Sequence, residues 1–211
     1  MALTKVIGNG LGTLGDGTAN DTKIVFDGNA QDYHIGLDDS ADTLVIGKGS
    51  ALGTTTSMSF DANGIITKPL QPAFCANLSS TLDAIPASSS MTTIPFATER
   101  FDQNADFDTS NYTFTAPVTG RYLFTFMLYL FNNLDTSSSY YYVSLNSSNR
   151  DYDIAVSSSM FGSDISLYQM TGSVIADMDA SDTMYLAISQ SGGAQQCKIG
   201  TTSSFSGALI C

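Results

Sequence analysis

The chain has 211 residues, of which 43% are hydrophobic and only 13% are charged. A formal net charge of −12 at pH 7 would repel a phosphate backbone, which argues against nucleic acid as a partner. Glu99 is the only glutamate, so the glutamate–lysine pairs that stabilise surface helices are excluded and we expect very little helix.

The start of the sequence, MALTKVIGNG, is not typical of a secretory signal, because no basic region is followed by an apolar run. No stretch approaches the roughly 20 apolar residues of a membrane span. We therefore expect synthesis in a cytoplasm without a signal peptide, and no membrane partner. The three cysteines, Cys75, Cys197 and Cys211, lack CxxC spacing and should be free, mostly buried thiols.

Residues 1–68 contain 11 of the 18 glycines, and their apolar residues fall in short pieces. Turns rich in Gly, Asn and Asp separate these pieces, a pattern that predicts strands of four or five residues. A unit this small, built of short strands, cannot bury a core alone. We therefore expect it to associate with copies of itself or with a larger assembly. The pieces are residues 23–27, 33–37, 43–47, 57–60 and 64–67.

Two features of this region resemble chemical motifs. Residues 10–15 have the letters G-x-G-x-x-G of a dinucleotide site, but no buried strand precedes them and turn residues follow. His34 is the only histidine, and it lies in a strand piece without a G-x-S-x-G serine or further zinc ligands. We therefore interpret the glycines as turn residues and His34 as a strand residue.

A boundary follows at Pro69 and Pro72, which fix φ and remove backbone donors. Beyond it, eight longer, aromatic runs separated by turns predict an antiparallel sandwich of two sheets. We therefore divide the chain into residues 1–68, a region of short strands for attachment or assembly, and residues 69–211, a compact knob.

One run within the knob, Tyr122–Phe131, is apolar on both faces of the predicted strand. The opposite sheet can cover only one of these faces. A neighbouring subunit is the simplest cover for the other, so the pattern favours an oligomer.

The segment Phe101–Phe126 resembles the globular head of the complement component 1q family, whose signature F-x-A-P-x-x-G-x-Y-x-F occurs at 114–124. Elements resembling later family strands follow at 182–186 and 204–207. The resemblance implies an all-β, ten-stranded antiparallel jelly roll like that of tumour necrosis factor, which forms a homotrimer. The signature residues, which make the fold rather than any chemistry, are Phe114, Pro117, Gly120, Tyr122, Phe124, Phe205 and Gly207.

Physical roles can be assigned to several of these residues. Pro117 should end a strand, Gly120 should supply a turn, and the aromatic side chains should fill the sandwich. The resemblance also implies that the first and last strands of the head are adjacent. That adjacency would bring Cys75 near Cys211, and whether they pair is open. The collagen stalk of the family is absent.

Residues 16–50 resemble a segment found in the N-terminal part of fibre proteins and other structural proteins of tailed phages, especially marine phages. This resemblance implies a virion location. It also implies that other virion proteins bind through residues 1–68, while the knob projects.

Two sets of residues are candidates for binding. Some heads of the family bind calcium near the trimer axis, so Asp102, Asp106 and Asp108 are candidate metal ligands, with a solvated turn as the alternative. The run 177–182 is not an EF-hand, because its sixth position carries aspartate where glycine is required. The cluster Tyr140, Tyr141 and Tyr142 suits a recognition surface, with sheet packing as the alternative.

Three functions are compatible with these patterns. The first is a homotrimeric short fibre or decoration of a phage capsid or tail, whose knob contacts a host-surface glycan or protein. The second is a secreted, lectin-like trimeric binding module. The third, a glycan hydrolase, needs a pair of carboxylates in a cleft; we expect no enzyme, no catalytic residue and no cofactor beyond a calcium ion at the aspartates above.

Overall fold

The computed structural model describes residues 14–15, 17–83 and 85–211. The chain divides into two compact units, Met1–Leu70 and Gln71–Cys211. The described residues are almost entirely strand and turn, with one 3-10 turn at Ser158–Met160. The expected all-β class with minimal helix is therefore confirmed.

The first unit is a five-stranded antiparallel meander in which each strand pairs with the next along the chain. Tight turns join the strands. At one of them the amides of Ile65 and Asn63 donate to the Asp61 carboxylate, and these bonds hold the pKa of Asp61 below its usual value. The strands are β1 (Thr22–Phe26), β2 (Tyr33–Asp38), β3 (Thr43–Lys48), β4 (Thr56–Phe60) and β5 (Ile66–Thr67).

The second unit contains the longer strands and the large aromatic core. Its strands are β6 (Ala73–Asn77), β7 (Thr92–Thr93), β8 (Thr98–Asp102), β9 (Phe107–Asp108), β10 (Thr113–Thr115), β11 (Gly120–Leu134), β12 (Tyr140–Ser147), β13 (Asp151–Ser157), β14 (Ile165–Met178), β15 (Thr183–Ser191), β16 (Lys198–Ile199) and β17 (Ser204–Leu209).

These strands form two antiparallel sheets. Sheet I has the order β14-β11-β17-β6-β8, with β16 beside β11, and sheet II has the order β13-β12-β15-β10-β9, with β7 beside β15. Neighbours within each sheet are mostly not consecutive, because the chain crosses repeatedly between the sheets. Ten strands lie along the two paths, so the expected jelly roll is confirmed, with two short strands added.

The first and last strands of the head pair directly, as expected: Phe74 of β6 lies opposite Gly207 of β17. All three cysteines are free, and only Cys197 is buried, so the expectation of mostly buried thiols was wrong for Cys211, which is exposed. Cys75 lies within β6, whereas Cys211 lies beyond the end of β17.

Stacked aromatic rings fill the space between the sheets. The ring of Phe74 lies 4.6 Å from that of Phe107 and 5.2 Å from that of Phe114, measured between centroids. Phe124 and Phe205 stack at 6.0 Å. Aromatic pairs at these separations add to the stability gained by burying their apolar area.

The glycines of the signature allow close approach. A Cβ on Gly207 would lie 2.7 Å from the rings of Phe124 and Phe74. Gly120 begins β11 without a left-handed φ, and a Cβ there would lie 2.8 Å from the carbonyl oxygen of Cys211. The expected turn role of Gly120 was therefore wrong, and the residue instead admits the C-terminal segment.

We predict that Gly207→Ala lowers the free energy of unfolding by about 1–3 kcal/mol, because the added methyl overpacks two fixed rings. The check is the urea midpoint at fixed protein concentration. Gly162→Ala is the control, since a Cβ there meets nothing within 4 Å. Equal midpoints for both variants would contradict the prediction.

Candidate subunit interface

Strand β11 carries apolar side chains on both faces. Tyr122 and Phe124 point into the sandwich and are fully buried. Leu123, Met127 and Phe131 alternate with the buried residues and point outward, where each is exposed or half-buried. The sequence-based prediction that this strand needs two covers therefore identifies a real surface, the outward face of sheet I.

Neighbouring strands extend this surface on both sides of β11. Ile175 of β14 lies opposite Leu123 and is 59% exposed, and Leu167 lies opposite Phe131. On the other side, Ala208 of β17 lies opposite Leu123. The strand register thus places these apolar residues on one face, with the hydroxyls of Thr125, Ser173 and Ser206 between them.

The outward face of sheet I is also uncharged over its central strands. Residues 123–131 of β11, their partners 167–175 of β14 and the strand β17 contain no charged side chain. Among them, the hydroxyls of Thr125 and Ser206 hydrogen-bond to each other at 2.8 Å. Because Thr125 and Ser206 share this hydrogen bond, covering the face leaves neither hydroxyl without a partner. It has the character of a subunit interface rather than a solvated surface.

The three aspartates considered for calcium accept hydrogen bonds from nearby residues of their own loop. The Asp102 carboxylate accepts hydrogen bonds from the amides of Asp106 and Phe107 at 3.2 and 2.8 Å. Asp108 accepts from Ser110 through its hydroxyl and its amide, and these bonds lower the pKa of Asp108. Burial raises the pKa of Asp106, which disfavours the charged form that a cation needs.

No group of three His, Cys, Asp or Glu side chains that could hold a metal ion occurs among the described residues. The calcium hypothesis for the aspartates is therefore not supported by the geometry. The alternative, a turn stabilised by its own carboxylates, accounts for the hydrogen bonds seen.

The structure separates the three candidate recognition tyrosines. Tyr141 points inward and is fully buried, where burial raises its pKa to about 12 and its hydroxyl accepts the Asp135 amide at 2.9 Å. The recognition role expected for Tyr141 was therefore wrong, because side chains alternate along a strand. Tyr140 and Tyr142 lie on the outward face of sheet II, with ring centroids 6.1 Å apart.

Tyr142 is further fixed by a neighbouring carboxylate. A hydrogen bond with Asp153 raises the pKa of the Tyr142 phenol to about 12, so the phenol stays protonated at neutral pH. Tyr140 and Tyr142 thus present two aromatic rings side by side on the outward face of sheet II.

The single histidine is not part of a catalytic arrangement. His34 is buried in the first unit, and its Nδ1 donates to the carbonyl oxygen of Gly49 at 2.8 Å. This position agrees with its interpretation as a strand residue. Most of the glycine-rich motif at residues 10–15 lies outside the described residues.

The thiol of Cys197 is buried and unreactive at neutral pH. Burial raises the pKa of its thiol to about 12, so the reactive thiolate is scarce at neutral pH. Within the part of the chain that the structure describes, no helix is long and apolar enough to cross a membrane.

The model of the C1q domain matches residues 73–210, well over half of the chain. The chain belongs to the C1q domain family. Heads of this family and of the tumour necrosis factor type form homotrimers and act as non-enzymatic binding modules.

Two solved structures are similar to this C1q domain protein. The globular domain of zebrafish complement 1qA protein is 18% identical over 67% of this chain and 98% of that chain, with a TM-score of 0.48. Murine APRIL, at pH 8.5, is 10% identical over 66% of this chain and 99% of that chain, with a TM-score of 0.47. No curated protein matches the chain significantly.

Sequence reasoning recognised that β11 is apolar on both faces, but it did not say which residues point outward and it missed their partners. Ile175, Leu167 and Phe101 belong to the same face only through the strand register, which connects residues far apart in sequence. The alternation of apolar and polar residues along β14 could have predicted which of its side chains point outward. It could not predict which strand lies beside β14.

We predict that Tyr141→Phe lowers the free energy of unfolding by about 1–3 kcal/mol, because the buried Asp135 amide loses its acceptor. Tyr140→Phe is the matched control, since the Tyr140 ring is exposed on the same strand. Chemical denaturation of both variants measures the difference. A loss of equal size in Tyr140→Phe would show that the buried hydrogen bond is not the cause.

Proposed function

We propose that this protein is a homotrimeric, non-enzymatic structural component of a tailed-phage particle, a short fibre or a decoration of the capsid or tail. In this proposal the C1q-type head projects, and the first unit attaches the protein to other virion proteins. The observation that carries the trimer is the central part of the outward face of sheet I, which is uncharged and carries Leu123, Ile175 and Phe131. The virion location is supported by the resemblance of residues 16–50 to phage structural proteins.

The geometry of the head supports a binding role for its exposed surface. Once sheet I is covered by neighbouring subunits, the outward face of sheet II remains in solvent. Tyr140 and Tyr142 lie there, and tyrosine offers contact area at a low cost in side-chain entropy. A host-surface glycan or protein is the partner class that this exposed aromatic pair fits.

The trimer predicts a mass of three times 22.3 kDa, about 67 kDa, in native mass spectrometry. Leu123→Glu should lower the fraction of trimer at a given protein concentration, because it brings three carboxylates into an apolar interface. Tyr140→Glu is the control: the two positions are 38% and 37% exposed but lie on different sheets. A monomeric wild-type protein would refute the proposed trimer.

The virion location has its own test. Phage particles purified from a lysate of infected cells, and quantified by mass spectrometry against the major capsid protein, should contain this chain in copy numbers that are multiples of three. Electron cryo-microscopy of the same particles would then assign it to head or tail. Recovery of the protein only from the particle-free fraction would favour the secreted, lectin-like module instead.

A further inference from the structure

The sheet of the first unit has one face made almost wholly of large apolar side chains. Pairing across the strands places Ile24, Ile35, Ile46 and Met58 in one row, one residue from each of β1 to β4. We call the side of the sheet that carries this row the isoleucine face. Directly paired residues share a face of an antiparallel sheet, so the row is continuous.

A second row on the isoleucine face is also apolar. Leu37, Leu44, Phe60 and Ile66 follow one another across β2, β3, β4 and β5. At the other end of the strands, Phe26 lies opposite Tyr33, and Phe26 is 59% exposed. Soluble monomers rarely leave contiguous apolar patches of more than a few hundred Å² open, so a face of this kind indicates a partner.

The chain covers the opposite face of this sheet with its own loop. The residues between β3 and β4 fold over it, where Gly49 accepts from His34 and Ser50 accepts from the Lys23 ammonium at 2.6 Å. As a result His34 and Val45 are almost fully buried. The two faces therefore differ: the loop buries the centre of one around His34 and Val45, whereas Ile24, Leu37 and Leu44 of the other are exposed.

Charge is compatible with a further copy of this chain as the occupant of the isoleucine face. Residues 1–68 contain eight Asp and four Lys, so copies brought together at random would repel. The described aspartates of this region lie in turns and at strand ends, for example Asp38, Asp42 and Asp61. Lys48 lies opposite Tyr33 and so extends the row of Phe26 and Tyr33, and it is the one charged residue in the three rows. Copies could meet through this face while their carboxylates stay in water.

Connectivity favours the same occupant. In a homotrimeric head, three first units are attached through short proline-containing segments around Pro69 and Pro72. Such tethering raises the effective concentration of each unit near the others, on the order of millimolar for short linkers. An apolar face held at that concentration beside two identical faces will be covered by them before it meets a free partner.

We propose that the isoleucine faces of three copies meet, so that the first units of one trimer share a single dry apolar core. The proposal rests on the homotrimer proposed above. It makes the first unit an assembly element whose core exists only between chains.

The test uses the full chain with one added cysteine, Ile46→Cys on the isoleucine face or Val25→Cys on the opposite face. Both positions lie in the same tryptic peptide, residues 24–48, which contains no native cysteine. After treatment with a short bismaleimide, we expect that peptide to be cross-linked to its copy from another subunit in Ile46→Cys. The yield in Val25→Cys should be at least tenfold lower.

Ile24→Asp and Val25→Asp provide a second measurement, because these neighbours on β1 are 43% and 38% exposed and point to opposite faces. Ile24→Asp should speed hydrogen exchange of the β2 and β3 amides at least tenfold. Val25→Asp should leave it near the wild-type rate.

The outcomes separate the two proposals. A trimer by native mass spectrometry without the Ile46 cross-link would overturn the shared core and leave the homotrimer standing; residues 1–13 or another virion protein would then cover the face. A monomeric wild-type protein would overturn both proposals. A trimer with the cross-link, and with exchange that responds only to Ile24→Asp, would support both.

Discussion

The structure depends on one constraint, which is that a strand with apolar side chains on both faces must be covered twice. In the head, the first cover is internal: Tyr122 and Phe124 of β11 pack against the aromatic core between the sheets. The second cover cannot come from the same domain, because Leu123 and Ile175 face away from it. In the homotrimer proposed above, neighbouring subunits supply that cover, so the proposed quaternary structure follows from the composition of the central strand.

The same constraint acts more severely on the first unit, because it has one sheet instead of two. A sandwich buries the inner faces of its two sheets against each other, so only apolar residues on the outer faces need a partner. A single five-stranded meander can cover the centre of one face with a loop, as the His34 and Val45 side chains show, and among the described residues the isoleucine face stays largely exposed. The head can therefore form its core as a monomer, whereas the shared core proposed for the first unit needs neighbouring copies.

Much of the fold followed from the sequence because its signals are local. The signature around Phe114 and Phe124 and the short turn-bounded strand pieces depend on residues close together in the chain. The role of Gly120 was misread for the opposite reason: its neighbour is the backbone of Cys211, at the far end of the sequence. Tyr141 was grouped with Tyr140 and Tyr142 as a candidate for recognition because three consecutive tyrosines do not reveal which of them points inward.

The candidate binding features also differ in whether their residues are close together or far apart in the sequence. Asp102 and Asp108 form a conspicuous acidic cluster in sequence, but they make hydrogen bonds within a few residues, and such bonds stabilise turns without creating a metal site. The surfaces that matter for assembly are instead built from residues of several strands, none of which stands out alone. In a chain with only 13% charged residues, apolar faces assembled from several strands are therefore the features that indicate a partner.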